Sequence, residues 1–133
     1  RCIPLMTKGG ALLTVSYMGS QRVTPNYNIM GPVKAALESS VRYLANDLGP
    51  DKIRVNAISP GPMKTLAGAA IGGARQVFRV TEKNAPLRQN ADLEAVGNAA
   101  LYLLSDSSSS TTGEIIYVDG GYHVMGLPQI ENI

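Results

Sequence analysis

Three short apolar runs constrain this chain more than any other feature: ALLTVS at Ala11–Ser16, IRVNAIS at Ile53–Ser59 and EIIYV at Glu114–Val118. A nearly continuous apolar run of about four to eight residues suits a strand covered on both faces. The stretches between the runs are far too long for hairpins and carry helical spacing. Strands that alternate with helices predict α/β architecture with a parallel sheet. The first crossover reads as one helix from about Tyr27 to Leu48, because Val33, Leu37, Val41, Leu44 and Leu48 recur at three- and four-residue steps. Glu38, Arg42 and Asp47 fall elsewhere on that wheel. Gly49-Pro50 is a stop signal, and Pro32 belongs in a first turn, which puts Tyr27 at the helix entry or just before it.

Further along, Pro60-Gly61-Pro62 breaks the second strand. Leu66–Asn84 can form helix, weakened early by Gly68, Gly72 and Gly73, and Pro86 interrupts it. Asn90 is placed to cap a helix from Ala91 to Leu104, with Asp92 and Glu94 in its first turn. Met18–Asn26 and Ser105–Thr112 read as loops, Lys8-Gly9-Gly10 as a turn, and the tail after Asp119-Gly120-Gly121 as irregular. The opening residues Arg1–Met6 read as the end of a helix already under way.

Three strands make an incomplete doubly wound sheet, and no glycine-rich turn follows the first one; Gly9-Gly10 precedes it instead. The expectation is therefore the C-terminal half of a Rossmann-like fold, residues 1–133 forming part of one domain whose phosphate-binding half lies elsewhere. At 133 residues the chain suffices for one small core. Its net charge of +2 comes from scattered Lys and Arg, with no basic stripe for nucleic acid. A single cysteine, Cys2, excludes an internal disulfide framework and any multi-cysteine metal site, and it fits a reducing compartment. No apolar run approaches membrane-spanning length, so neither nucleic acid nor membrane is expected as a partner, and no metal.

In open α/β sheets ligands sit beyond the carboxyl ends of the strands. Here those ends are Ser16-Tyr17, Ser59 to Thr65 and Asp119 to Gly121. Tyr27 and Lys34 lie on the segment leaving the first strand, seven residues apart, a spacing that returns nearly to the same helix face. A phenol and an ammonium so aligned can share a ligand. The phenol can donate to an oxygen that gains negative charge, and the ammonium can grip hydroxyls or favour the phenolate. Duller readings stand beside these. Tyr17 suits a packed ring at a strand end, Thr65 a helix cap, and Asp119-Gly-Gly a turn rather than a catalytic acid. His123 has no nucleophile or second ligand nearby in sequence and receives no role.

Ser16-Tyr17, Tyr27-x6-Lys34, Arg54-Val-Asn-Ala-Ile-Ser-Pro-Gly-Pro-Met-Lys-Thr65, Glu94-Ala-Val-Gly-Asn98 and Val118-Asp-Gly-Gly121 resemble the short-chain dehydrogenase/reductase superfamily. Within it they are most similar to the enoyl-[acyl-carrier-protein] reductases. Most of the superfamily uses Tyr-x3-Lys with an upstream Ser, whereas the enoyl reductases use Tyr-x6-Lys with an upstream Tyr, as here. The resemblance runs from about Leu5 to Gly126 and covers only the C-terminal half of such an enzyme.

The resemblance implies reduction of a trans-2-enoyl thioester on acyl-carrier protein in type II fatty acid synthesis, with NADH as cofactor and NADPH left open. Tyr17, Tyr27 and Lys34 would be catalytic. Ser16, Lys34, Pro60, Gly61, Met63 and Thr65 would meet the cofactor. Tyr17, Tyr27, Met30, Ala67, Ile71 and Phe78 would meet the substrate, under a lid at about residues 66–84. A cytoplasmic bacterial homotetramer, with the long first helix in its interface, is further implied. Two alternatives stay open: a short-chain ketone or alcohol oxidoreductase, and a non-catalytic oligomerisation fragment.

Overall fold

A computed structural model describes residues 2–65 and 72–133. Its elements run β1 (Gly10–Val15), α1 (Met30–Leu48), β2 (Ile53–Pro60), α2 (Ala74–Asn84), α3 (Leu93–Leu104) and β3 (Ile115–Val118). The strands form one parallel sheet in the order β1-β2-β3. Gly10 pairs with Ile53 and Val15 with Ile58, while Ala57 pairs with Ile115 and Pro60 with Val118. The expected α/β half-fold is therefore present.

β2 is central and explains itself by alternation. Ile53, Val55 and Ala57 cluster with Val41, Ala45 and Leu48 of α1. The intervening Arg54 and Asn56 turn to the opposite layer. The Arg54 guanidinium donates to Leu103 O at 2.8 Å, Ser105 O at 3.0 Å and Ser108 Oγ at 2.7 Å, where α3 ends. A cation there also faces the negative end of the helix dipole. Asn56 Nδ2 donates to Thr111 O and its Oδ1 accepts from Glu114 N, which steers the chain into β3. Helices thus cover both faces of the sheet, α1 on one and α3 on the other.

Several boundaries differ from expectation. Helix α1 begins at Met30, not Tyr27. Asn26 and Asn28 adopt positive φ of 64° and 50°, which a right-handed helix cannot continue through. Pro32 then sits in the first turn, where its missing N–H costs nothing. Tyr27 and Lys34 therefore do not share one continuous helix, and their alignment cannot be read from angular steps. The buried face of α1 is Glu38, Val41, Ala45 and Leu48. Val33 and Leu44, expected on the core face, are 48% and 42% exposed, and Glu38, expected elsewhere, is buried.

The cap of α3 is Asp92, whose carboxylate accepts from Ala95 N at 2.7 Å. Asn90 instead joins α2: its Oδ1 accepts from Thr81 Oγ1 at 2.6 Å and its Nδ2 donates to Phe78 O at 2.8 Å. The opening residues form a single 3-10 turn at Ile3–Leu5. The tail is not wholly irregular. Short turns at Tyr122–Val124 and Ile130–Asn132 are tied down, the second by Asn84, whose Oδ1 accepts from Gln129 N and Asn132 Nδ2.

Candidate active site

β1 ends at Val15, and its last residues deliver Ser16 and Tyr17 to the carboxyl rim of the sheet. A 3-10 turn, Met18–Ser20, follows at once. The rings of Tyr17 and Tyr27 meet there, centroids 4.9 Å apart and tilted by 58°. Gly19 makes that meeting sterically feasible: a Cβ on it would fall 2.6 Å from Tyr27 Cδ1 and 3.4 Å from Tyr17 Cδ1. Lys34, in the second turn of α1, donates from Nζ to Val15 O at 2.7 Å. Ser16 is buried and its hydroxyl donates to Glu38 Oε1 at 2.5 Å. That hydroxyl hydrogen is committed within the protein.

Burial pushes the Tyr17 phenol up to about 12, assisted by Tyr27 and then Tyr122. Burial also raises Tyr27. Both phenols are protonated donors at neutral pH. The expectation that Lys34 would pull Tyr27 towards phenolate is overturned in direction, because desolvation of the charged form governs this ring.

A second group of expected residues gathers beyond β2. Pro60 is the last residue of that strand. Gly61 is buried, its N–H donates to Val118 O, and a Cβ on it would press on Asp119 at 3.1 Å. Met63, Thr65 and Phe78 line a cleft of about 470 Å³ with Lys64, Ala74, Arg75, Arg79 and Glu82. The Lys64 ammonium lies 5.0 Å from the centre of the Phe78 ring, a cation–π distance. Among the described residues neither tyrosine lines this cleft. The two groups are linked by a residue that sequence reasoning missed: Asn26 Nδ2 donates to Gly72 O at 3.2 Å, joining the approach to Tyr27 with the approach to α2. Its signal was a polar residue tolerant of positive φ one position before the tyrosine.

Met30 opens α1 and is 40% exposed. Ala67 and Ile71, with the first part of the expected lid, lie outside the described residues. The later part of that segment is helix α2. His123 and Asp119 behave structurally. Asp119 accepts from Gly121 N at 2.9 Å and His123 N at 2.8 Å, while His123 pairs with its carboxylate at 3.0 Å and stacks on Tyr117 at 4.0 Å. Gly120 is required in that turn, since φ is +65° and a Cβ would lie 2.3 Å from Gln89 O. Among the described residues no group of three His, Cys, Asp or Glu side chains could hold a metal, and no described helix is long and apolar enough to cross a membrane.

Residues 1–123 match the family model described as Enoyl-(Acyl carrier protein) reductase. The chain is 57% identical over 131 residues to an NADH-type enoyl-[acyl-carrier-protein] reductase of Rhizobium meliloti, covering 98% of this chain and 49% of that protein. A solved enoyl-(acyl-carrier-protein) reductase from Anaplasma phagocytophilum, in complex with NAD, superposes with a TM-score of 0.89 at 52% identity, covering 96% of this chain and 46% of that one. FabI from Candidatus Liberibacter asiaticus gives 0.92 at 53% identity, over 96% and 49%. The chain spans about half the length of the curated relatives it matches. With the paired tyrosines and the lysine at the sheet's carboxyl rim, and a family match over nearly its whole length, this chain belongs to the enoyl-(acyl carrier protein) reductase family.

Proposed function

We propose that this chain supplies the substrate-side half of an enzyme that reduces the trans-2 double bond of an enoyl-acyl-carrier-protein thioester with NADH, in type II fatty acid biosynthesis. The observation that carries the reading is the Tyr17–Tyr27 pair, 4.9 Å apart beside the carboxyl end of β1, with Lys34 anchored on Val15 of the same strand. The kinship with NADH-type reductases supports the substrate and coenzyme.

The donor set suits a nicotinamide dinucleotide. Lys34 carries three N–H hydrogens and, among the described residues, gives one to Val15 O, which leaves the ammonium equipped to grip ribose hydroxyls. Met63 and Thr65, beyond the end of β2, are the residues to meet the nicotinamide amide. When bound, that cofactor supplies hydride.

The remaining steps belong to the chain's own side chains. The Tyr27 phenol, kept protonated by burial, donates to the thioester oxygen as negative charge develops there. One preorganised donor of this kind contributes about 3–4 kcal/mol to the transition state. The Tyr17 ring packs against Tyr27, and burial holds its phenol protonated too. Phe78 and Met30 offer apolar surface to the acyl chain. Acyl-carrier protein is the proposed partner and the bacterial cytoplasm the proposed location. The exposed Tyr43 and Leu44 of α1 support a homotetramer built across that helix.

The test takes the intact polypeptide that carries both halves of the fold. It should reduce a crotonyl thioester with NADH and leave a 3-oxoacyl thioester unreduced. The reverse preference would make it a ketoreductase and overturn the reading.

A further inference from the structure

Helix α1 buries four residues, and one of them is a carboxylate. Val41, Ala45 and Leu48 are ordinary core residues, whereas Glu38 is 3% exposed on the same face. Taking an ionised carboxylate out of water is costly, and an apolar side chain would serve this position better if packing were the only demand. No cation pairs with Glu38 among the described residues. Its partners are two hydroxyls: Oε1 accepts from Ser16 Oγ at 2.5 Å and from Ser20 Oγ at 2.6 Å. Both hydroxyls converge on one carboxylate oxygen.

The two serines bracket a short stretch. Between them lie Tyr17, Met18 and Gly19. Tyr17 is one of the paired rings, and Gly19 is the point where both rings lean on the backbone. One turn earlier on α1, Lys34 holds Val15 O. Two residues of one helix therefore pin the strand end and the turn at positions 15, 16 and 20. The turn also presses on α1 directly, since a Cβ on Gly31 would fall 2.9 Å from Gly19 O. A shift of this turn displaces Tyr17 with it and removes the support beneath Tyr27.

We propose that Glu38 is a positioning residue for enoyl reduction: its carboxylate clamps Ser16 and Ser20, which holds the turn that sets the two phenols at the place where the thioester oxygen gains charge. The proposal rests on the enoyl reductase reading. What it adds is that hydrogen-bond acceptance by a group remote from the reacting atoms sets turnover.

The test compares Glu38→Leu, Glu38→Gln and the double variant Ser16→Ala/Ser20→Ala in the intact polypeptide, with a crotonyl thioester and NADH. Leucine removes the acceptor and keeps the volume. Glutamine keeps an oxygen that both hydroxyls can reach. The expected result is a fall in kcat of about ten- to a hundredfold for Glu38→Leu and for the double-serine variant, the scale of a displaced catalytic group. The dissociation constant for NADH should stay within about twofold in the Glu38 variants, and Glu38→Gln should recover most of the lost turnover. A purely structural Glu38 would lower melting temperature and leave the turnover of folded protein unchanged. Turnover of Glu38→Leu within twofold of the unmutated enzyme overturns the proposal, as does a Glu38→Gln variant as slow as Glu38→Leu. If Glu38→Leu does not fold, the double-serine variant decides by the same threshold. Absence of enoyl reduction by the unmutated polypeptide is a different failure: it overturns the functional reading and the role of Glu38 with it.

Discussion

Replacing Gly19 by alanine separates the geometry of the tyrosine pair from the stability of the fold. The new methyl would sit 2.6 Å and 2.8 Å from Cδ1 and Cε1 of Tyr27. Carbon atoms rest comfortably at about 3.5–4.0 Å, so the ring must retreat by about 1 Å. Gly19 is not among the positive-φ glycines, so alanine brings no backbone strain. Tyr27 is only half-buried and can swing outward, which places the stability cost at the low end of overpacking, about 1 kcal/mol. The smaller conformational freedom of alanine in the unfolded chain offsets much of that, by about 0.4–1 kcal/mol. Turnover has no such relief. A misplacement of about 1 Å costs up to roughly a hundredfold. Steady-state reduction of a crotonyl thioester by the intact polypeptide, followed by loss of NADH absorbance, should show kcat down about ten- to a hundredfold. The urea midpoint should barely move. Turnover within twofold of the unmutated enzyme would refute the claim that Tyr27 must stand against residue 19.

Other perturbations probe separate parts of the site and fold. Tyr27→Phe removes the proposed oxyanion donor and should lower kcat by roughly tenfold to a thousandfold; Lys34→Ala should act mainly on NADH affinity, measured by titration. The Tyr17 phenol ionises at about 12 when folded, against about 10 for a free tyrosine. The folded state thus holds this proton more tightly. Its contribution to stability is complete below about pH 10 and is lost as pH rises towards about 12, so Tyr17→Phe should flatten the alkaline decline seen in denaturant titrations. Arg54→Leu takes the guanidinium from the Leu103 carbonyl, while Ser105 O keeps Ser108 and Thr111 O keeps Asn56, and should cost about 1–3 kcal/mol by chemical denaturation, with NADH affinity intact in the folded fraction.

The sheet and its helices were legible because apolar runs and helical spacing both point to one architecture. β2 lies within a residue of its expected place because the run from Ile53 is buried on both faces. What periodicity cannot see is a polar side chain that tertiary structure recruits. Glu38 looks like a solvated helix residue until Ser16 and Ser20 arrive from the strand end. The helix start was misplaced because Asn26 and Asn28 take positive φ, a choice that their side chains allow but no spacing announces. Asp92 displaced Asn90 as a cap because both are good acceptors and only Asn90 had a competing partner in Thr81. Spacing and resemblance together single out Tyr17, Tyr27 and Lys34, and the structure places all three near the end of β1. Their actual contacts are tertiary: ring meets ring over the turn at Gly19, and the ammonium meets the carbonyl at the end of β1.

The central position of β2 has a kinetic consequence. Gly10 finds Ile53, and Ala57 finds Ile115, so every rung of the sheet joins residues tens of positions apart. No ladder can zip from a neighbouring turn, and loop closure is an entropic cost met before any strand pairing is rewarded. α1 has local hydrogen bonds throughout and can form early. The sheet should then assemble late and slowly around β2, leaving its apolar strands open to other chains in the meantime, which makes refolding yield fall as protein concentration rises.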